Sequence, residues 1–250
     1  MSSCSRDENG NFGAVNAIGR HAARMMAGLA ALLLVMNAAR AETIEVAPGV
    51  QVTKTTYEAP ADEQPFYGFA IRTAEQRAAD AKLVVDLTAA AGTRQKAFDA
   101  VTVRGWKAIT AGRTAEAAKR FNQAFLLEPE QSSVYHGFAM IVQMRFNDLT
   151  FADELFRLAR RQPHPLKALN TDYGRLLLMA KRYRDAQPVL DQAVVDTPDF
   201  GDTWGYLAFA RLQNGDKAGA CTAAAEASNR KPSRSTVRDL IHLRKDAQCN

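Results

Sequence analysis

The sequence has little of what most enzymes depend on. Its 250 residues include only 3 cysteines and 4 histidines, and 8% of them are aromatic. The HExxH, GxSxG and GxGxxG motifs and the Walker-type phosphate loop are all absent. The histidines are too scattered along the chain to share a metal ion. We therefore predict no metal, no cofactor and no catalytic residues.

A strong excess of charge of one sign is also lacking. The formal net charge is +5, and basic runs interleaved with aromatic residues, which would suit single-stranded nucleic acid, do not occur. Nucleic acid is therefore not a predicted partner. With 15 glycines and 9 prolines, a collagen-like or low-complexity chain is excluded. The 47% hydrophobic content instead fits an alanine-rich, helical protein of one or two domains.

The start of the chain has the pattern of an export signal. Its apolar run, Met25–Met36, has twelve residues, whereas a membrane-spanning helix needs roughly 20. Arginines precede this run, and a small-x-small site ends at Ala41. We predict that residues 1–41 are a signal peptide cleaved between Ala41 and Glu42, which leaves a periplasmic or secreted chain without a stable membrane span. An anchor helix or a buried helix of the fold are the alternatives.

The main signal is an internal repeat. Four columns of residues recur at spacings of 34 or 35, and they consist of one proline column, two alanine columns and one largely aromatic or aliphatic column. Their members are Pro129, Pro163, Pro198 and Pro232; Ala117, Ala152, Ala186 and Ala220; Ala124, Ala159, Ala193 and Ala227; and Phe121, Phe156, Leu190 and Ala224. This period indicates helix–turn–helix units that are too small to bury their own apolar faces and must stack.

Each residue type in the repeat has a physical role. Alanines seven residues apart lie on one stripe of a helix, where the short side chain lets a neighbouring helix approach closely. Proline ends each unit because it cannot continue a helix. The second unit fits the pattern only after a one-residue insertion near residues 146–148. The equivalent turn positions, where a left-handed residue would end the first helix, are Gly112, Asn147, Lys181 and Gly215.

The repeat resembles the tetratricopeptide repeat family over roughly residues 98–232. The family pattern is W-x2-L-G-x2-Y, then Ala, Phe and Ala in the second helix, then Pro. The third unit matches with Tyr173, Gly174, Leu177, Tyr183, Ala186, Leu190, Ala193 and Pro198. The fourth matches with Trp204, Leu207, Ala208, Gly215, Ala220, Ala227 and Pro232, and the first with Gly105, Gly112, Ala117, Phe121, Ala124 and Pro129. The resemblance implies an all-α fold, a right-handed α-solenoid of about four repeats within residues 93–232.

A capping helix is predicted on each side of the array, because the ends of a solenoid otherwise expose apolar faces. Thr73 with Gln76 has the pattern of a capping box that opens a helix in residues 73–92. After the array, residues 233–250 hold a helix opened by Ser235 and a short tail. The residues of this second helix that are spaced for one buried face are Val237, Leu240, Ile241 and Leu243.

Residues 42–72 differ in composition from the rest of the chain. They contain a β-prone stretch interrupted at Pro48, followed by an aromatic group of Phe66, Tyr67 and Phe69. Two interpretations are open. The segment is either an extended linker whose aromatic side chains pack against the first helix, or a strap in the groove of the repeats that must leave before a partner binds.

Cleavage of the signal peptide would remove Cys4 and leave Cys221 and Cys249. An even pair in an oxidising compartment predicts a disulfide, which would staple the final helix onto the last repeat. The alternative is an unpaired, buried Cys221. Because no CxxC motif occurs, the pair is predicted to be structural and not redox-active.

The resemblance also implies a binding surface. In the family, the first helices of successive units line a concave face that holds a peptide or helix of a partner protein. The corresponding positions here are Trp106, Ile109, His136, Met140, Gln143, Met144, Arg175, Leu178, Met179, Phe209, Leu212 and Gln213. This surface is apolar with a few polar groups, which suits amphipathic or extended segments. For each residue, ordinary packing between helices is the alternative.

We therefore expect a non-catalytic scaffold or adaptor of the bacterial cell envelope that binds a partner protein in this groove. Two alternatives stay open. One is an envelope enzyme or enzyme-accessory subunit with a polar centre at His136 and Arg175. The other is a self-associating structural protein, and the oligomeric state is left open.

Overall fold

The computed structural model describes residues 42–249. The predicted signal peptide, residues 1–41, lies outside the described residues, as does the Ala41 side of the predicted cleavage site. Most of the described chain is helical, and strands occur only in a short hairpin near its start. The predicted all-α solenoid is confirmed.

Four helical hairpins form the array. Their first and second helices are α2 (Arg94–Thr110) and α3 (Thr114–Leu127), α4 (Ser132–Ile141) and α5 (Leu149–Arg161), α6 (Leu169–Met179) and α7 (Tyr183–Asp196), and α8 (Gly201–Gln213) and α9 (Lys217–Asn229). The two helices of each hairpin pack on each other, and each hairpin packs on the next. Every alanine of the two repeating columns is fully buried, as close approach between helices requires.

The fourth column of the repeat forms the centre of the units. Phe121, Phe156, Leu190 and Ala224 are all fully buried. The neighbouring first helices approach these side chains so closely that a Cβ atom has no room. A Cβ at Gly137 would lie 2.2 Å from the ring of Phe121, and one at Gly174 would lie 2.4 Å from Leu190. Glycine is therefore needed at both positions by packing.

The turns inside the hairpins follow the sequence pattern. The four equivalent turn residues all have left-handed backbones, with φ of +72° at Gly112, +52° at Asn147, +57° at Lys181 and +88° at Gly215. The extra residue of the second unit lies in a π-helical turn, Val142–Phe146, between α4 and α5. Because a π-helical turn takes one more residue than an α-helical turn, the insertion leaves the stacking of the units in register.

Helix α1 (Ala74–Ala91) precedes the array and begins with the predicted capping box. The Thr73 side chain accepts a hydrogen bond from the backbone N–H of Gln76, whose side chain accepts one from the Thr73 backbone. None of its residues is fully buried. It rests on the core through half-buried side chains, including Val84 and Leu87. Helix α1 therefore buries little of its own apolar surface against the first unit.

Helix α10 (Arg234–Ala247) follows the array, and its N-cap differs from the prediction. Ser233, and not Ser235, caps the helix, because the Ser233 side chain accepts the backbone N–H of Thr236. The predicted buried face is half wrong, since Val237 and Ile241 are 45% and 64% exposed. The helix buries a stripe rotated from the predicted one, which consists of Thr236, Leu240, Leu243 and Ala247.

Residues 42–72 form a compact segment that begins with a β-hairpin. Strands β1 (Thr43–Ala47) and β2 (Val50–Thr53) pair in antiparallel fashion. Strand β2 contacts α5, where the backbone N–H of Thr53 donates to Glu154 Oε1 at 2.7 Å. Because α5 is a second helix of the array, the hairpin lies on the side of the solenoid opposite to the first helices.

The aromatic part of this segment is attached to α3 through Asn122, which is fully buried. The Asn122 amide donates to the carbonyls of Asp62 and Gln64 at 3.0 and 2.8 Å, and its oxygen accepts the backbone N–H of Tyr67 at 3.2 Å. The ring of Phe66 packs between α3 and α4, 4.8 Å from the ring of Phe138. The segment is therefore attached to the second helices α3 and α5, and the ring of Phe66 packs on the array, which differs from a strap lying in a groove of the first helices.

Candidate protein-binding cleft

The residues predicted to line a groove lie on the first helices, but they divide into two halves. The filled half consists of the predicted residues of α2 and α4 and the π-helical turn, which are Trp106, Ile109, His136, Met140, Gln143 and Met144. Four of these six are buried: Ile109, His136, Met140 and Gln143. These four side chains therefore pack between helices, which is the alternative left open for each predicted residue.

Ring side chains occupy the space that a partner would need in the filled half. The His136 ring lies 4.6 Å from that of Trp106 and 5.6 Å from that of Phe156, measured between centroids. The Trp106 indole N–H donates to Ser133 Oγ at 3.3 Å. Trp106 and Met144 keep some exposure. Trp106 borders a surface recess on α2, and Met144 is 43% exposed outside the cleft described below.

His136 and Arg175, the polar centre of the enzyme alternative, have separate surroundings. His136 is 1% exposed, and its Nε2 lies 2.9 Å from Asp172 Oδ2. Arg175 lies on α6, one turn after Asp172, and donates to Gln143 Oε1 at 3.5 Å. It borders the cleft described below, and His136 does not. The two side chains therefore do not meet at a common accessible site.

The open half consists of the predicted residues of α6 and α8, and it borders a cleft. The cleft has a volume of about 490 Å³, within the range of roughly 300–1,000 Å³ that is usual for ligand sites. All six predicted residues of these helices line it: Arg175, Leu178, Met179, Phe209, Leu212 and Gln213. Met179 and Phe209 present 46% and 38% of their surfaces to solvent, so large apolar side chains are accessible there.

Helix α10 forms the other wall of the cleft, and sequence reasoning missed it. The lining residues that were not predicted are Gly205, Tyr206, Thr236, Asp239, Leu240, His242, Leu243 and Asp246. A signal was present, because the period of the repeat continues past the last unit. Leu243 follows Phe209 by 34 residues, and Asp246 follows Leu212 by the same interval. Helix α10 thus occupies the place that the first helix of a fifth unit would take. The sequence pattern predicts it only as a capping helix.

One column of the repeat explains why only one half is filled. The position taken by His136 in the second unit is taken by Thr171 in the third and by Gly205 in the fourth. The ring that fills the first half therefore has no counterpart beside α10. Gly205 also permits close packing, because a Cβ there would lie 2.4 Å from Thr236 Cγ2. Helix α10 can thus approach α8 at this level.

Charged groups stand on two walls of the cleft. Arg175 projects from α6, and Asp239 and Asp246 line the wall formed by α10. Within residues 42–249, none of the three forms an ion pair. Burial raises the pKa of the Tyr206 hydroxyl above its ordinary value; Arg175 opposes this rise and nearby aspartates reinforce it. The hydroxyl therefore stays protonated at neutral pH.

The predicted bond between Cys221 and Cys249 is present, with Cα atoms 5.5 Å apart. Cys221 lies on α9 and Cys249 just beyond the end of α10. The bond therefore ties the wall formed by α10 to the last repeat. It also means that the shape of the cleft depends on a covalent link as well as on packing.

Between residues 42 and 249, no three His, Cys, Asp or Glu side chains are grouped to hold a metal ion. This includes Asp239, His242 and Asp246 of the cleft wall, which do not form such a group. None of the helices described is both long and apolar enough to cross a membrane.

No family model matches the sequence, and no curated protein matches it either. Among solved structures, the chain is similar to one from the functional characterization of PilF of Pseudomonas aeruginosa, a protein with tetratricopeptide repeats. The TM-score is 0.55 and the identity 23%, over 62% of this chain and 71% of that chain. The fold is a tetratricopeptide-like α-solenoid. At this level of identity, the likeness concerns the fold alone.

Proposed function

We propose that this protein is a non-catalytic adaptor that binds a segment of a partner protein in the cleft between α6, α8 and α10. The tetratricopeptide-like fold supports a protein-interaction scaffold in general. The observation that carries the finer proposal is the cleft of about 490 Å³, whose accessible surface includes Met179 and Phe209. Accessible apolar side chains gathered in a concavity are typical of interaction sites.

The side chains of the cleft suit a short amphipathic or extended segment. Leu178, Leu212 and Leu243 supply apolar contacts from all three helices. Met179 adds a flexible side chain that adapts to irregular partners. A partner would place two or three apolar side chains between the helices and keep its polar side outward, which is the usual way in which a groove between helices is occupied.

The surroundings of His136 support a non-catalytic role. A general acid or base must reach the substrate, and His136 is buried against rings and paired with Asp172. Arg175 lines the cleft, which His136 does not border, so the two side chains do not form one polar centre. The enzyme alternative would be established by a different result. In that case His136→Gln would lose a catalytic activity of the wild type, while the variant stayed folded and still bound its partner.

We place this adaptor in the bacterial cell envelope, as a periplasmic or secreted protein. Two observations support the proposal. The first is the sequence pattern of residues 1–41, and the second is the Cys221–Cys249 bond, since disulfides persist mainly in oxidising compartments. Mass spectrometry of the protein from its native host tests this directly: a chain that begins at Glu42 supports export, and an intact chain in the cytosol contradicts it.

The test of the adaptor is a pull-down from crosslinked envelope extract with matched variants. Phe209→Glu puts a charge in the cleft, whereas Phe200→Glu puts the same charge at a 50%-exposed phenylalanine outside the lining. We expect the wild type and Phe200→Glu to retain the same partner and Phe209→Glu to lose it while keeping its helical spectrum. A partner retained equally by all three proteins would contradict binding in the cleft.

Self-association is a second candidate, and the outer face of α10 favours it. Val237 and Ile241 are exposed there beside a recess of about 290 Å³. Light scattering on the purified mature chain separates the candidates. A dimer that dissociates in Ile241→Glu and persists in Phe209→Glu would support a structural role for this face, and a monomer would leave the adaptor as the remaining proposal.

A further inference from the structure

We infer that the cleft selects a partner segment in which two basic residues flank apolar ones, with α10 acting as the acidic wall that recognises them. This inference rests on the proposed function, because it names the chemistry of the segment that the same cleft would bind. It follows from the charges that line the cleft and from the lack of any partner for them inside the described chain.

The two carboxylates of the wall share one face of α10. Asp239 and Asp246 are seven residues apart, both line the cleft, and both are exposed. Seven residues make nearly two helical turns, so their side chains point in the same direction about 10 Å apart along the axis. Two basic residues seven apart on a helical segment would lie on one face and match this distance.

The carboxylates are not neutralised from within the described part of the chain. Some aspartates of the array are paired with arginines, as in Asp153 with Arg182 at 3.0 Å and Asp191 with Arg211 at 2.9 Å, whereas others, such as the exposed Asp199 outside the cleft, are in none of the ion pairs of the described residues. Asp239 and Asp246 take part in none of the ion pairs between residues 42 and 249. They leave two negative charges facing an apolar cleft.

The basic residues of α10 itself do not fill this role. The Arg244 guanidinium turns to α9, where it donates to the carbonyl of Ala224 at 3.2 Å and to Ser228 Oγ at 3.1 Å. Arg238 and Lys245 do not line the cleft. His242 lies between the two carboxylates on the wall, and its imidazole is the nearest ionisable neighbour along this face of the helix.

Arg175 on the opposite wall gives the bound segment an orientation. Its guanidinium donates to Gln143 Oε1 at the boundary of the filled half, and it would repel a basic side chain placed near α6. The basic residues of the segment are therefore directed to α10, while its apolar residues contact Leu178 and Phe209. Charge complementarity of this kind selects partners and fixes register more than it adds raw affinity.

The experiment is a selection from a phage-displayed library of random 12-residue peptides on the immobilised mature chain. Phage that also bind Phe209→Ser, which removes the apolar ring without adding charge, are removed, so that the remaining clones depend on the cleft. We expect these clones to combine apolar residues with an excess of Lys and Arg over the starting library. The same selection on Asp239→Asn/Asp246→Asn should lose the basic excess and keep the apolar one.

A matched control separates local charge from net charge. Asp199→Asn/Glu58→Gln removes the same two charges from exposed positions outside the cleft. A synthetic peptide from the selection should bind Asp239→Asn/Asp246→Asn about tenfold more weakly than the wild type and should bind the control equally well. Its affinity for the wild type should fall as salt is raised, since exposed charge pairs are screened.

Each outcome decides the inference. Cleft-dependent peptides without a basic excess, or with an acidic one, would overturn it and leave the adaptor function standing. No cleft-dependent peptide at all would also overturn it, while the pull-down would still decide the adaptor function on its own. Self-association that Phe209→Glu abolishes would show that the cleft takes a second copy of this chain and would overturn it as well.

Discussion

The filled and the open halves of the first-helix face are built from the same columns of one repeat. Met140, Arg175 and Phe209 occupy equivalent positions in successive units. Met140 is buried, Arg175 is half-buried and Phe209 is exposed in a cleft. The backbone of the repeat therefore fixes where a side chain lies, but its neighbours decide whether a partner can reach it.

The size of the side chains around each position makes the difference. The rings of Trp106, His136 and Phe156 contact one another in edge-on and tilted arrangements in the filled half. In the open half, Thr171 and Gly205 take the place of the histidine, and α10 stands where another unit would begin. One face of the array thus carries a filled region and an open region.

The largest expected effect comes from breaking the filled half. Phe121→Ala removes a fully buried ring at the centre of the first unit. We expect the free energy of unfolding to fall by about 3–5 kcal/mol, because such a change loses apolar burial and leaves a cavity. Urea unfolding followed by circular dichroism measures this loss.

The comparison between the halves predicts a second result for the same variant. Because units of a solenoid interact mainly with their neighbours, a peptide selected on the cleft should bind folded Phe121→Ala as it binds the wild type. A loss of cleft binding as large as the loss of stability would show that the two halves are not separable.

The next effect comes from loosening the open half. Cys221→Ser/Cys249→Ser opens a loop with a sequence separation of 28, which the chain-entropy estimate values at about 3–4 kcal/mol. We expect amide hydrogen exchange to quicken in α10, to stay unchanged in α4 and α5, and the cleft to bind its peptide more weakly. Reduction of the wild type should reproduce this behaviour.

The double variant supplies its own control. Since it has no bond to reduce, a reductant should leave its exchange and its peptide binding unchanged. Equal protection of α10 in the wild type and the variant would mean that packing of Leu240 and Leu243 holds the wall without help from the disulfide.

The repeat is the part of the fold that the sequence predicts best. The columns at fixed intervals predict the hairpins, the turn positions such as Lys181 and the one-residue insertion, which the structure accommodates as a π-helical turn. Residues 42–72 could not be placed in this way, because their attachment depends on Asn122 in a distant helix. No periodic pattern marks a contact of that kind.

The candidate site was half predictable for a related reason. The columns of the repeat identify which positions lie on the face formed by the first helices. They do not identify the positions where neighbouring side chains fill the space in front of that face. Burial of His136 depends on rings from two other helices, those of Trp106 and Phe156, and the cleft depends on where α10 lies. Continuing the 34-residue interval to Leu243 would have revealed the missing wall.

The smallest expected effect tests where the filled half ends and the open half begins. Met144 and Met179 occupy equivalent positions 35 residues apart and are 43% and 46% exposed, but only Met179 lines the cleft. Because both are surface residues, Met144→Ser and Met179→Ser should each change stability by no more than about 0.5 kcal/mol. In a fluorescence titration, Met179→Ser should weaken the selected peptide several-fold, whereas Met144→Ser should leave it unchanged. Equal weakening by both would extend the binding surface across the boundary and into the filled half.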